Sequence, residues 1–449
     1  MSQWLQRLGH SVRNPATANF PKKPLIYRQL DDINTLNIVH VAGTKGKGST
    51  CAFTESFLRA HGRRTGFPRK TGLYTSPHLI VPEERIRINS VPLSRDLLAK
   101  YFFEVYDRLP QLAEEYDVSR GPVERGPRYL QLWALFAFHV FVREGVEAAI
   151  FETHNGGEYD ATTVVTKPVV TAITTLGMDH IDMLGPTIEN IAWHKSGIYK
   201  SGSVALSTTQ QAAPAKVLEE RAAAKGEVVN FIGDDERLPP DALNLKPSVQ
   251  RKNASLALAA AQTWLTKCAP SNTADLTTED IRTGVEQWQW AGRFQIIEDG
   301  KWTWFLDGAH NDMSMAIAAQ WFIEATELLE VKGTKVLIFS HINALRDTAA
   351  LLTSLAVALR KGNAKIEHVI FSTYDESAER HSVREPKSPQ LFHDTWESIL
   401  PETRLWDEPT IQGAIERART LGSGVNGAQT LITGSQHLVG PALRILQSR

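Results

Sequence analysis

The chain has 449 residues, of which 42% are hydrophobic and 22% charged, a globular composition at a length that predicts two or three domains. Its formal net charge of −1 gives no global electrostatic case for binding nucleic acid or an anionic membrane. Two cysteines, Cys51 and Cys268, are too few for a disulfide framework or a thiolate zinc site, so we expect a reducing compartment. No apolar stretch approaches the roughly 20 residues that cross a bilayer, so we expect a soluble protein.

The first 30 residues contain no Asp or Glu, a bias that also occurs in mitochondrial transit peptides. Their basic residues are Arg7, Arg13, Lys22, Lys23 and Arg28. Apolar side chains near the start favour a different interpretation, a short helix that packs on the domain. We therefore expect a cytoplasmic protein and leave a mitochondrial form open.

Residues 38–42 form an apolar strand that runs into a glycine-rich turn and then a helical stretch over 50–60. Glycines in such a turn free backbone N–H groups to surround phosphate oxygens, while Lys47 adds a charge and Ser49 a hydroxyl for Mg²⁺. Gly48 separates the lysine from the hydroxyl residue, which departs from the commonest phosphate-loop pattern. The sequence predicts that ATP binds this loop, through Gly43, Thr44, Gly46, Lys47, Gly48 and Ser49.

Strand-like and helical patterns then alternate, with a helix over 129–143 and strands over 148–152 and 169–176. Such alternation predicts βαβ units and a mainly parallel sheet. Ligands of these sheets lie at the carboxyl ends of the strands, so we expect the polar segments after Ala42, Ile150 and Leu176 to meet at one site.

Glu152 follows a buried strand and is a candidate Mg²⁺ ligand, since this cation prefers carboxylate and hydroxyl oxygens. The Gly156-Gly157 pair lets the backbone turn sharply beside it. His180 also ends a strand, and for this residue a structural role and a ligand role stay open. On their own, residues 74–79 indicate a turn and the charged run 83–89 a solvated face.

A second, smaller α/β unit begins near Trp290. Its predicted strands cover 305–307, 335–340, 367–372 and 430–433, and its predicted helices cover 313–329, 348–360, 410–421 and 439–447. The charged segment 375–389 contains two prolines, which favours a mobile loop.

Taken together, these motifs resemble the folylpolyglutamate synthases of the Mur ligase superfamily, and the resemblance spans residues 38–440. The segments that carry it are the loop around Lys47, 74–79, 152–162, 179–180, 191–200, 292–295, 306–310 and 431–440. The resemblance implies an N-terminal P-loop ATPase domain with a mainly parallel sheet, residues 1–291, and a smaller Rossmann-like ligase domain, residues 292–449. The forms of 193–195 and 433–440 are similar to those of the fungal branch.

The resemblance also implies roles for individual residues. Ser76, Glu152 and His180 match Mg²⁺ ligands, with Ser49 of the phosphate loop beside them, and Lys195 matches a lysine carried as a carbamate. Positions that contact the nucleotide are matched by Asn253, Arg293, Asp307 and His310. Asp307 would hold the ribose hydroxyls and Arg293 the phosphates. One or two Mg²⁺ ions and a monovalent cation are left open.

The implied activity joins L-glutamate to the γ-carboxylate of folate in a monomeric enzyme. ATP converts the carboxylate to an acyl phosphate, which the amino group of glutamate then attacks, with ADP and phosphate released. Lys47, His180 and Lys195 would carry the catalytic work.

The chain departs from the family pattern at several positions: His154 replaces a glycine, Asn155 a small apolar residue, Pro82 and Glu83 a Val-Arg pair, and 339–347 an Asn-containing segment. Two alternatives therefore stay open. One is a divergent paralogue that joins another acid and amine, and the other is a nucleotide-binding pseudoenzyme.

Overall fold

The structure is a computed structural model that describes residues 33–107, 109, 127–330, 332–341, 347–376, 389–424 and 426–448. The chain divides into two compact units between Gln289 and Trp290. The basic segment 1–30 and most of the loop predicted over 375–389 lie outside the described residues. Among the helices described, none combines the length and the apolar character that crossing a membrane requires.

An eight-stranded sheet forms the centre of the first unit. Its strands are β1 (Val39–Ala42), β2 (Thr71–Tyr74), β3 (Ile86–Ile88), β4 (Val91–Pro92), β5 (Ala148–Glu152), β6 (Val170–Ile173), β7 (Val204–Thr208) and β8 (Val229–Ile232). Their spatial order is β4-β3-β2-β5-β1-β6-β7-β8. The six strands from β2 to β8 in that order pair in parallel, whereas β3 and β4 add an antiparallel edge. Strand β1, which leads into the phosphate loop, thus has a hydrogen-bonded neighbour on each side.

Helices cover both faces of this sheet. They are α1 (Lys47–Thr65), α2 (Arg95–Tyr106), α3 (Tyr129–Arg143), α4 (Ile181–Leu184), α5 (Ile188–Lys195), α6 (Ala212–Ala223), α7 (Ser248–Cys268) and α8 (Thr278–Glu286). On one face, Phe138 of α3 stacks on Phe151 of β5 with ring centroids 4.4 Å apart. On the other, Ser56 of α1 donates a hydrogen bond to the carbonyl of Gly284 in α8 at 2.7 Å. Since side chains alternate along a strand, Glu152 projects to the face opposite Phe151, towards α1.

The second unit contains a six-stranded sheet of order β13-β12-β11-β14-β10-β9, in which only the β9–β10 pair is antiparallel. Its strands are β9 (Gln295–Asp299), β10 (Trp302–Asp307), β11 (Thr334–Phe339), β12 (His368–Ser372), β13 (Arg404–Glu408) and β14 (Ala428–Thr433). Its helices are α9 (Asp312–Leu328), α10 (Thr348–Lys361), α11 (Pro389–Glu397), α12 (Ile411–Leu421) and α13 (Gln436–Gln447). Phe305, Trp321 and Phe322 pack edge to face in its core, with centroid separations of 5.6 and 5.0 Å.

The predicted α/β class, with two parallel-rich sheets, is confirmed. The sequence did not predict β3, β4, β7, β8, β9 and β13. Strand β9 alternates between half-buried and exposed residues, and β13 is largely exposed or half-buried, so neither carries the apolar run of a central strand. Helix α7 was also not predicted, because alanine, serine and glutamine occupy much of its buried face and weaken the apolar periodicity.

The interpretation of 83–89 as a solvated face is wrong for two of its charged residues. Glu83 is 9% exposed and Arg85 only 4% exposed. The carboxylate of Glu83 pairs with Arg95 at 3.2 Å, and the guanidinium of Arg85 lies 5.5 Å from the ring centroids of both Tyr129 and Trp133. Partners within the fold, which the local sequence does not show, offset the cost of burying these charges.

Candidate active site

The turn between β1 and α1 has a backbone that only glycine accommodates at two positions. Gly43 has φ +147° and Gly46 has φ +87°. A β-carbon on Gly43 would lie 1.9 Å from Oγ1 of Thr174, and one on Gly46 would lie 2.2 Å from Oδ1 of Asn253. Both the backbone and its close neighbours therefore require glycine here.

Hydrogen bonds attach this turn to the segment that follows β6. The N–H groups of Thr44 and Lys45 donate to the carbonyl of Thr175 at 3.0 and 3.2 Å, and the hydroxyl of Thr44 donates to the carbonyl of Gly177 at 3.0 Å. The first intrahelical bond of α1 runs from Thr50 N–H to the carbonyl of Gly46 at 2.8 Å. The preceding N–H groups, at residues 47–49, have no acceptor within the helix, and such groups can bind an anion.

Three of the predicted site residues meet beside the turn. Nζ of Lys47 donates to the carbonyl of Gly43 at 3.1 Å and lies 4.0 Å from Oε1 of Glu152. The other oxygen, Oε2 of Glu152, accepts the N–H of Ser76 at 3.0 Å. Glu152 is thereby fixed between the phosphate-loop lysine and the segment that follows β2.

Three of the four metal ligands predicted from the sequence carry side-chain oxygen atoms. The Glu152 carboxylate and the hydroxyls of Ser49 and Ser76 are the ligand types that Mg²⁺ prefers, and Mg²⁺ usually keeps several waters rather than taking a full protein cage. Among the described residues, no group of three or more His, Cys, Asp or Glu side chains is arranged to hold a metal ion. The donor set fits Mg²⁺.

Lys195, at the end of α5, is 1% exposed, and its Nζ donates to the carbonyl of Gly43 at 2.8 Å. Burial, reinforced by the positive charge of Lys47, lowers the pKa of Lys195 to about 7. A lysine with this pKa is substantially neutral at physiological pH, and a neutral amine can add CO₂.

His180 lies at the start of the short helix α4, with a left-handed backbone at φ +52° and an exposed side chain. Its N–H donates to Oδ1 of the preceding Asp179 at 3.1 Å, and Oδ2 of Asp179 pairs with Lys45 at 3.3 Å. The strand-end segment that contains His180 therefore does reach the phosphate loop, as predicted, through its neighbour Asp179.

The remaining predicted nucleotide contacts fall in two places. In the first unit, Asn253 is 6% exposed, abuts Gly46 and donates through Nδ2 to Gln250 at 2.9 Å. In the second unit, Oδ2 of Asp307 accepts the N–H of Phe294 at 3.1 Å, and Nδ1 of His310 lies 2.9 Å from the carbonyl of Gly308.

Arg293 completes this second group. Its Nη1 donates to the carbonyl of Gly292 at 3.1 Å, and a β-carbon on Gly308 would lie 2.5 Å from the same nitrogen. The second unit thus brings Arg293, Asp307 and His310 together at the end of β10.

Sequence reasoning did not select Asp179 or Asp160 as individual residues. Both lie in polar segments directly after buried strands, and that position was the available signal. What the sequence could not show is which side chain in each segment makes the contacts, since that depends on the turn geometry.

No protein-family model matches the chain. The chain is 42% identical over 442 residues to folylpolyglutamate synthase of Neurospora crassa, which covers 93% of this chain and 82% of that protein. It is 36% identical over 438 residues to the probable folylpolyglutamate synthase of Schizosaccharomyces pombe, and the match covers 93% of this chain and 85% of that protein. Its fold is similar to a crystal structure of Mycobacterium tuberculosis folylpolyglutamate synthase complexed with ADP and AMPPCP, with a TM-score of 0.73 at 23% identity over 93% of this chain and 92% of that chain.

Proposed function

The chain belongs to the folylpolyglutamate synthase family, and we propose that it is an ATP-dependent ligase that adds L-glutamate to the γ-carboxylate of folate. The observation that carries the proposal is the grouping of Lys47, Glu152 and Ser76 beside the phosphate loop, with the buried amine of Lys195 on the same Gly43 carbonyl. A nucleotide-binding module without chemistry would not require this full set.

The first step moves the γ-phosphoryl group of ATP to a carboxylate oxygen of the acceptor and leaves ADP. Lys47 is placed to offset negative charge on that phosphoryl group, and the N–H groups that begin α1 can hold the remaining phosphate oxygens. Mg²⁺, when bound, supplies positive charge that stabilises the phosphoryl group in transfer. Glu152, Ser76, Ser49 and His180 are the residues that we assign to hold it.

The second step joins the amine. The deprotonated amino group of glutamate attacks the carbonyl carbon of the acyl phosphate, the new C–N bond forms, and the C–O bond to phosphate breaks. We assign Lys195 a carbamate, which converts a buried amine into an anionic oxygen donor. In the second unit we assign Asp307 to the ribose hydroxyls and Arg293 to the phosphates, with His310 and, in the first unit, Asn253 as further nucleotide contacts.

The assay follows ADP and phosphate release with ATP, Mg²⁺, tetrahydrofolate and L-glutamate, and mass spectrometry identifies the conjugate. We expect a product longer by one or more glutamates, and no product from Lys47→Ala. Turnover only with a different carboxylic acid would instead support the divergent paralogue. Nucleotide binding without turnover on any acid would support the pseudoenzyme.

We also propose that the protein works as a cytoplasmic monomer. Sedimentation of the purified chain and fractionation of cells that express it are the corresponding tests.

A further inference from the structure

A buried chain of hydrogen bonds crosses three adjacent strands beside the site, and we call it the imidazole network. Its members are Tyr74, His154, Asp160, Thr162 and His40. Tyr74 ends β2, His154 and Asp160 belong to the turn after β5, and His40 lies in β1. The side chains of His154 and Asp160 are each 4% exposed.

The chemistry of the donors sets the direction of the bonds to Asp160. A carboxylate only accepts, so Nδ1 of His154, at 3.2 Å from Oδ1 of Asp160, carries a proton. Nε2 of His154 is bonded to the Tyr74 hydroxyl at 2.7 Å. The Thr162 hydroxyl likewise donates to Asp160 at 2.8 Å and accepts from Nε2–H of His40 at 2.8 Å.

Asp160 accepts hydrogen bonds from two residues in this arrangement. It accepts the N–H and Nδ1–H of His154 and the N–H and hydroxyl of Thr162. Three of these donors reach Oδ1 and one reaches Oδ2. Although burial alone would raise it, these hydrogen bonds hold the pKa of Asp160 below its usual range. The carboxylate therefore holds the turn through four contacts.

The turn after β5, which this network holds, contacts the surroundings of Glu152 and also the end of the helix that carries Lys195. Two residues before His154, Glu152 contacts Ser76 and faces Lys47. Further along, the N–H of Glu158 donates to the carbonyl of His194 at 2.7 Å, and a β-carbon on Gly157 would lie 2.4 Å from the carbonyl oxygen of Lys195. A shift of the turn would displace the Glu152 carboxylate and the end of the helix that carries Lys195 together.

We propose that His154 is a positioning residue: by bridging Tyr74 and Asp160 it holds the turn after β5 so that Glu152 stays in place to bind Mg²⁺ with the nucleotide. The inference rests on the proposed function for the metal role of Glu152. It does not depend on which acid is the acceptor. His154 touches no reacting atom in this arrangement, and its effect passes through Glu152.

The test measures binding of an ATP analogue to the full chain by calorimetry at a series of Mg²⁺ concentrations. His154→Gly removes both side-chain bonds, and we expect the Mg²⁺ concentration at half-saturation to rise about 10- to 100-fold, as for other residues that orient a metal ligand. His154→Asn keeps a donor near the position of Nδ1 and should restore much of the affinity, because the bond to Asp160 remains. Glu152→Gln gives the reference for loss of the ligand itself.

His139→Asn is the matched control, since His139 is also buried in the first unit and bonds to a carboxylate, Glu104, at 2.9 Å. It should lower the melting temperature but leave the Mg²⁺ dependence unchanged. The proposal is overturned if His154→Gly lowers the melting temperature as His139→Asn does and leaves the Mg²⁺ half-saturation unchanged.

If His154→Gly does not fold, Tyr74→Phe decides the question, because it deletes only the hydroxyl that bonds to Nε2 of His154. A rise in the Mg²⁺ half-saturation supports the proposal, and an unchanged value overturns it. Wild-type protein that binds nucleotide without any Mg²⁺ dependence also overturns it. Failure to extend folate, with Mg²⁺-dependent binding intact, overturns only the proposed acceptor.

Discussion

Nζ of Lys195 lies 2.8 Å from the carbonyl oxygen of Gly43, although the two residues are 152 positions apart in the chain. The same oxygen accepts a hydrogen bond from Lys47 at 3.1 Å. Two amines that share one acceptor repel each other when both are charged, which adds to the effect of burial in lowering the pKa of Lys195. A single carbonyl thus links the phosphate-loop lysine to the lysine that we assign as a carbamate.

Replacing Lys195 should impair ligation but leave ATP binding intact. We expect Lys195→Ala to lower the ligation rate at least about a hundredfold, because an anionic donor near the metal is lost. The dissociation constant of ATP should stay within about threefold, since Lys47 and the start of α1 remain. Initial-rate kinetics and calorimetry measure the two quantities. Lys200→Ala is the control, as Lys200 is a half-buried lysine of the same region. Full ligase activity in Lys195→Ala would refute the assignment.

The carbamate itself should be visible with ¹³C-labelled bicarbonate by nuclear magnetic resonance. Only the neutral amine adds CO₂, and the pKa of Lys195 is lowered to about 7. The carbamate signal should therefore be strong at pH 8 and weaken as the pH falls below about 7. It should be absent from Lys195→Ala. A signal of constant intensity down to pH 6, or one that persists in the variant, would contradict this prediction.

Gly46 and Gly66 form a matched pair, with φ of +87° and +83°. A β-carbon on Gly66 meets nothing within 4 Å, whereas one on Gly46 overlaps Asn253. We expect Gly66→Ala to cost about 1 kcal/mol of unfolding free energy from backbone strain and to leave ATP binding intact. Gly46→Ala carries the same strain plus the overlap and should abolish ATP binding. Chemical denaturation and calorimetry measure both, and equal ATP affinity in the two variants would rule out this account of the loop.

His40 should make the first unit sensitive to acid. Burial lowers its pKa from 6.5 to about 4, so the unfolded chain binds the proton more readily over that interval. The contribution of neutral His40 to the free energy of unfolding is complete above pH 6.5 and is lost as the pH falls towards 4. Between pH 7.5 and 5 the loss from this group is about 2 kcal/mol.

Urea denaturation of wild type and His40→Gln at these two pH values measures this effect. The glutamine amide can replace the donor to Thr162 but does not titrate, so the variant should lose about 2 kcal/mol less on acidification. An equal loss in wild type and His40→Gln would show that His40 is not the titrating group.

The sequence was sufficient for the α/β class and for the phosphate loop, because both have strong local signals: an apolar strand, glycines at fixed spacing, and a helix after them. It placed Glu152 correctly at the end of β5 for the same reason. Local signals could not give the contacts that complete the site. Asn253 packs on Gly46, and Lys195 reaches Gly43, through the tertiary fold alone.

The substitution at His154 shows most clearly what could not be predicted from the sequence alone. The sequence showed only that an imidazole near Glu152 replaces the glycine of the family pattern. The structure shows bonds to Tyr74 and Asp160 instead of an open side chain. Those partners lie on a separate strand and further along the turn, and no periodicity in the sequence connects them.

The central position of β1 also has a consequence for synthesis of the protein on the ribosome. The strand and its loop appear early in the chain, but they are bordered by β5, β6 and the Asn253 side chain of α7, which are translated much later. Contacts between such distant segments form slowly, because a long loop of chain must close first. The nascent loop therefore lacks some of its neighbouring residues until α7 has left the exit tunnel. Nucleotide can stabilise only chains in which this whole unit has been made. Binding of ATP by a nascent chain would therefore indicate that the first unit is complete.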